Sequence, residues 1–436
     1  MDFIAIFPPV PQQFSRRYKP SIPVTIICNG DFSIYNRVKK PCIRYLIVIK
    51  LNHQIKVKES DKMDFTRLKY YIDSLAANDL PYCDISVRLN REEVFRHSMG
   101  HIDAEGTKTP QPDTLQWIYS MSKVITCTAV LRLVEKGLLS LEDKVSKYLP
   151  EYEVQAVKCG VFAKKADNPI LIKHLFSMRS GIDYDWACIA DKIGDPNITT
   201  REFIKGLSRK VLCFEPGTDY TYGLGHDVLA AVAEVITGKK FRDYLNDEIF
   251  APLGLKNIGF HPTEKQLNEQ FAQAFVYDHE RFRSSPRDMN CAFCFGDDYD
   301  SGGAGLFSSL DDYMEIADAL SNGGVAKNGY RILNPETIDL MRTNLQTENS
   351  MGKMKPGYGY GLGVRTMVDR KLGRSLGPVG EFGWDGAALS YVLIDPENHV
   401  TVVFTTQLSN GGVFYHTTHP YLRNLVYDAL GLAKEY

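Results

Sequence analysis

Apolar side chains at Ile125, Val130, Leu131, Leu133 and Val134 recur at close to the 3.6-residue period, and Gly137 supplies a stop. The pattern predicts a helix over 124–136 with a buried face. Phe65, Leu68, Ile72 and Leu75 predict an earlier amphipathic helix. From Cys83 the period changes to two: Ile85, Val87 and Leu89 alternate, Asn90-Arg91-Glu92 makes a turn, and Val94-Phe95 begins a returning strand. Residues 150–300 read as mostly helical segments separated by loops, at 172–178, 200–208, 226–237 and 241–250, and a further helix over 311–320 follows the Gly-rich turn 301–306. Strand patterns return at 358–364, 388–394 and 400–406, the last two flanking the turn Asp395-Pro396-Glu397-Asn398, and an amphipathic helix over 421–433 closes the chain. Strands near both ends and helices between them predict an α+β fold. Its antiparallel sheet draws on both chain ends (about 63–125 and 300–436) and is flanked by helices, with a mainly helical lobe (about 126–300) inserted.

Composition changes this picture at one place. The net charge of the 436 residues is −2, but residues 1–62 hold eleven Lys/Arg against four Asp/Glu, leaving 40 against 49 for the rest. Met63 is therefore expected to begin the functional domain, 63–436, with 1–62 an appendage or a misassigned start. The competing view is a basic arm for an acidic surface or nucleic acid, and no interleaving of aromatic and basic residues supports it. The acidic beginning Met1-Asp2-Phe3 and the early prolines do not fit a signal peptide, and the run Tyr45–Ile49 is too short to span a bilayer. Nine scattered cysteines fit a reducing compartment better than a disulfide framework. Cys291-Ala292-Phe293-Cys294 has no second pair and reads as packing or loop. The expectation is a cytoplasmic protein with no membrane or nucleic-acid partner; its oligomeric state is not encoded legibly.

The chemistry begins at Tyr119-Ser120-Met121-Ser122-Lys123. Ser120 falls at the first turn of the predicted helix, and Lys123 shares its face, because residues three apart are neighbours on a helix. A serine hydroxyl needs a base to become a useful nucleophile. An ammonium packed beside Val124 and Cys127 is penalised for its charge and can serve as that base. The same S-x-x-K spacing recurs at Ser350–Lys353, and a helix cap followed by a surface lysine fits either one.

Other stretches resolve the choice. Phe214-Glu215-Pro216-Gly217-Thr218 leads through Tyr222 to Gly238 and Pro252-Leu253-Gly254-Leu255; Ile172 to Gly181 closes a helix; Asn334-Pro335-Glu336-Thr337 starts one; Glu381 to Ala387 precedes the last hairpin. In this order, with the S-x-x-K, they resemble the serine β-lactamase-like superfamily: class C β-lactamases, penicillin-binding DD-peptidases, family VIII carboxylesterases and related acyltransferases. The resemblance runs from about Met63 to the C-terminus. It implies Ser120 as acylated nucleophile, Lys123 as its base, and Tyr222 as a phenol that passes a proton to the leaving group. The third motif falls on Trp384-Asp385-Gly386. There Gly386 would let substrate approach the strand backbone, and the N–H of Ala387 would join that of Ser120 in an oxyanion hole.

The departures from the family pattern shape the expected substrate. Leu224 stands where β-lactamases place Asn, and Trp384-Asp385 replaces a cation-plus-hydroxyl pair that grips a carboxylate. A substrate carboxylate facing Asp385 would meet repulsion on the order of 1–4 kcal/mol at about 4 Å. Trp384, Asp385, Gly386 and Leu224 are the expected pocket residues, with Trp384 read equally well as an acyl-pocket wall or a cap on the sheet edge. The expected function is a serine hydrolase acting through an acyl-enzyme on a small-molecule acyl substrate, as a carboxylesterase, with no cofactor and no metal. The alternatives are β-lactamase or D-amino-acid peptidase activity, and a catalytically inactive binding relative. No H-E-x-x-H is present, which disfavours a zinc protease.

Overall fold

The two ends of the described residues build one sheet. The computed structural model describes residues 63–435 apart from 191–194 and 292, so the expectations for 1–62 lie outside the described residues. Helix α1 (Thr66–Ser74) leads into the hairpin of β1 (Tyr82–Leu89) and β2 (Glu92–Gly100). The hairpin turns at Asn90 and Arg91, both at positive φ, 49° and 72°, as the favoured two-residue turn requires. Then come the helices α2 (Ser122–Glu135), α3 (Gly225–Thr237) and α4 (Leu310–Ser321). Five strands follow: β3 (Tyr358–Tyr360), β4 (Arg365–Met367), β5 (Phe382–Asp385), β6 (Tyr391–Asp395) and β7 (Val400–Thr405). Helix α5 (Gly412–Ala429) comes last.

The strand order is β3-β4-β5-β6-β7-β1-β2, and β7 and β1, far apart in sequence, pair inside the sheet, Asp84 opposite Thr405 and Leu89 opposite Val400. Every pairing in this sheet is antiparallel. Side chains alternate across a strand. In β6, Tyr391 and Leu393 join Leu68, Ile72, Leu422 and Val426 beneath α1 and α5, while Val392 and Ile394 join the core built around α2, α3 and α4. The sheet is thus the middle of three layers, and β6 and β7 are buried along their whole lengths.

The structure departs from the expected elements in three places. Helix α5 begins at Gly412 rather than at 421 and carries Pro420 inside it; proline forfeits one backbone hydrogen bond, and packing on the sheet holds the helix through it. Strands β4 and β5 were not anticipated, being short and without clear alternation. The middle of the chain also contains hairpins, Ala156–Cys159 with Phe162–Lys165 and Ala274–Asp278 with Arg283–Arg287. The strand Phe162–Lys165 is exposed throughout, so no buried face marked it. Among the described residues, no helix is long and apolar enough to cross a membrane.

Candidate active site

Ser120 lies on a single 3-10 turn, Tyr119–Met121, that runs directly into α2. The residue before it, Tyr119, takes φ 43°, a region tyrosine rarely occupies. Such strain persists only where surrounding contacts enforce it; here Arg287 donates to the Tyr119 hydroxyl at 2.9 Å, and the ring packs in a small core with Trp117 and Phe307. The Gly-rich turn 301–306 is stitched to the same segment. Thr126 Oγ1 donates to Gly302 O at 2.7 Å, Leu306 N to Ser122 Oγ at 3.2 Å, and Ile118 N to Leu306 O at 3.1 Å.

Lys123 is fully buried, which removes the surface-lysine reading. Its Nζ donates to Ser120 Oγ at 3.1 Å, to the Tyr184 hydroxyl at 3.1 Å and to Gly303 O at 2.6 Å. The expectation of an ammonium surrounded by apolar side chains is corrected here, because all three N–H bonds find acceptors. Behind Gly303 lies Asp227, buried and accepting from Tyr299 Oη at 2.8 Å and Ser301 Oγ at 2.6 Å. Burial pushes its carboxyl up, while the Ser301 bond and the Lys123 charge act against that push. A Cβ on Gly303 would come within 2.6 Å of Asp227 Oδ2 and 3.4 Å of Lys123 Nζ, so only glycine lets the turn thread between them. The second S-x-x-K shows no such geometry: Ser350 bonds to Thr347 N at 2.8 Å, and Lys353 reaches Asp219 at 2.6 Å.

Two tyrosines close over this pair. Tyr184, absent from the sequence reading, presents its hydroxyl to Lys123, Ser120 and Tyr222. Burial holds its phenol well above the usual range, and the neighbouring Tyr222 and Asp227 push the same way. Its one sequence signal was its place three residues after Gly181, at the end of a stretch otherwise read as a helix closure. Tyr222 offers its ring to Lys123, Nζ lying 4.8 Å from the centroid, and its hydroxyl accepts from Trp384 Nε1 at 2.9 Å. Tyr360 stands edge-on to Trp384 at 4.9 Å, and Tyr184 edge-on to Tyr222 at 5.5 Å.

Above the pair opens a cleft of about 370 Å³ whose lining includes Ser120, Tyr222, Trp384, Asp385, Gly386 and Ala387. Trp384 is therefore a cleft wall rather than only an edge cap. Leu224, expected in the pocket, is fully buried in the helical core and is not part of the lining. Gly386 has a different reason from the expected one. A Cβ there would lie 2.1 Å from Ser390 Oγ and 2.5 Å from Ile118 O, so the strand end is pressed against the segment leading to Ser120. Gly386→Ala is expected to cost about 1–3 kcal/mol through this overpacking and to lower turnover with it, measured by urea unfolding beside a rate assay; unchanged stability would show that the turn can give way.

Asp385 is not a free carboxylate. Lys355 Nζ lies 3.0 Å from Oδ2, while Arg365 Nη1 at 3.3 Å and His419 Nδ1 at 3.2 Å face Oδ1. Burial pushes its carboxyl up, but the Arg365 and Lys355 charges and His419 outweigh it and hold it well below the usual carboxylate range. The repulsion expected of an anionic substrate therefore does not follow. Among the described residues, no group of three or more His, Cys, Asp or Glu side chains is arranged to hold a metal ion.

The family model described as Beta-lactamase matches residues 76–426. The chain belongs to the Beta-lactamase family. Esterase EstB of Burkholderia gladioli is 28% identical over 349 residues, covering 74% of this chain and 84% of its own length. The lovastatin esterase of Penicillium rubens is 27% identical, covering 69% of this chain and 82% of its own length. Among solved structures, EstCE1, titled a hydrolase with promiscuous acyltransferase activity, superposes with a TM-score of 0.70 at 24% identity, over 84% of this chain and 98% of its own. That likeness shows the β-lactamase-like fold with its antiparallel sheet and helices. The family and its curated relatives make the chain a serine hydrolase of esterase-like type.

Proposed function

We propose that this protein is a carboxylesterase for small acyl esters, working through an acyl-enzyme on Ser120. The observation that carries the reading is the 3.1 Å contact between Lys123 Nζ and Ser120 Oγ at the floor of the cleft. Lys123, in its amine form, takes the serine proton as Oγ attacks the ester carbonyl. The N–H groups of Ser120 and Ala387 hold the oxyanion; losing one such donor typically costs about 2.7–4 kcal/mol. The paired phenols of Tyr184 and Tyr222 carry the proton to the departing alkoxide, which leaves as the alcohol. Water then attacks the acyl-enzyme and releases the acid; an acceptor alcohol in its place gives acyl transfer. The names of the curated esterase relatives support the substrate class, and so does the tyrosine- and tryptophan-walled cleft.

Side-by-side assays with 4-nitrophenyl butyrate and a chromogenic cephalosporin test it. Ester cleavage far above cephalosporin turnover is expected. Efficient cephalosporin turnover with negligible ester cleavage would make the protein a β-lactamase, and activity on neither, nor on D-amino-acid amides, would leave a binding relative.

A further inference from the structure

Among the described residues, three lysine and arginine side chains line the cleft, Lys353, Lys355 and Arg365, together with His416, against a single carboxylate, Asp385. Lys353 is matched outside the lining by Asp219 at 2.6 Å. Lys355 and Arg365 share Asp385 between them, at 3.0 and 3.3 Å. Arg365 is sealed in, its side chain 5% exposed, with Nη2 donating to Val392 O at 2.8 Å. Glu381, behind this layer, faces Arg423 as well as Arg365. Lys355 differs: its side chain is 35% exposed, and among the described residues its Nζ meets Asp385, the Tyr415 carbonyl at 3.4 Å and, at 5.7 Å from the centroid, the Tyr415 ring, which leaves an N–H to reach into the cleft. The lining thus holds one positive charge more than it neutralises, in a recess where water is limited and fields are focused.

We propose that the cleft selects esters that carry a carboxylate, gripped by Lys355 while Ser120 is acylated. This rests on the esterase reading and adds the class of substrate. A monoanion matches the surplus of one charge, and the third N–H of Lys355 supplies a charge-assisted hydrogen bond to it. The carboxylate can belong to the acyl group or to the leaving alcohol, and matched ester pairs separate the two. On the acyl side, mono-4-nitrophenyl adipate is compared with 4-nitrophenyl hexanoate. On the alcohol side, 4-carboxyphenyl hexanoate is compared with 4-carbamoylphenyl hexanoate.

One of the two pairs is expected to show kcat/KM about tenfold or more in favour of the acid, the equivalent of one good polar contact. That preference should shrink as salt is added, collapse to about twofold or less in Lys355→Met, and survive in Lys355→Arg. The ratio within a pair is unaffected by a general loss of folded enzyme, and the collapse is expected also for Lys355→Met on an Asp385→Asn background, where no carboxylate is left to repel the acid. Equal rates within both pairs, or a ratio unchanged in Lys355→Met, overturns this proposal while leaving the esterase standing. No turnover of any of the four esters overturns both.

Discussion

Lys123→Ala and Ser120→Ala are each expected to lower ester turnover by roughly 10⁴–10⁶-fold, and the double variant to be no worse than either alone. The reason is geometric. Among the described residues Ser120 Oγ has one strong base within reach, the Lys123 amine at 3.1 Å, and Lys123 is anchored there by Gly303 O at 2.6 Å and the Tyr184 hydroxyl at 3.1 Å. Without the amine, the hydroxyl is a weak nucleophile. Without the hydroxyl, the amine has nothing to activate. What survives comes from the oxyanion donors and the cleft, which bind the ester but do not react with it. Rates on a 4-nitrophenyl ester check this, with covalent labelling by a serine-directed phosphonate as an independent readout: label on Ser120 in the wild type, none in Ser120→Ala. Near-native turnover in Lys123→Ala, or double-variant losses that multiply, would sink the paired role.

Tyr184→Phe should lower kcat by about 10²–10⁴, the usual range for a positioned proton carrier, with KM little changed. Its hydroxyl bonds Lys123 at 3.1 Å and faces Ser120 and Tyr222, so it is the junction through which a proton released from Ser120 can travel. Tyr222→Phe is expected to cost a comparable factor by a partly different route. It removes the far end of the relay and also the acceptor for Trp384 Nε1 at 2.9 Å. A donor left without its acceptor costs up to about 1–3 kcal/mol where water cannot replace it, and a displaced Trp384 alters the cleft wall, so KM should rise here and not in Tyr184→Phe. Steady-state kinetics separate the two. Full activity in Tyr184→Phe would take that phenol out of the chemistry and return the proton transfer to Tyr222 alone.

Between sequence and structure, the local signals transferred well and the convergent ones did not. The helix behind Ser120 was readable because its apolar positions recur near the helical period and Gly137, at φ 69°, ends it, although Ser122 to Leu131 are in fact buried on every side. Ser120 and Lys123 were readable because three residues on one helix define their own geometry. Tyr184 was not, since nothing within the segment 172–184 records that its end lies 3.1 Å from a lysine 61 positions earlier. Asp385 shows the same limit from the other side. Read alone, it was a carboxylate that would repel an acid; its meaning reverses once Lys355 and Arg365, on other segments, stand beside it.

By its own periodicities and motif order, then, the chain determined a sheet built from both ends, a helical middle, and a serine and lysine one helical turn apart. Tertiary packing alone decided which phenol reaches that pair, why Gly303 and Gly386 must lack side chains, and what charge the cleft presents. The division has a physical cause. Periodicity is a property of neighbours along the chain, whereas hydrogen bonds and charge compensation depend on atoms that only folding brings within about 3 Å of one another.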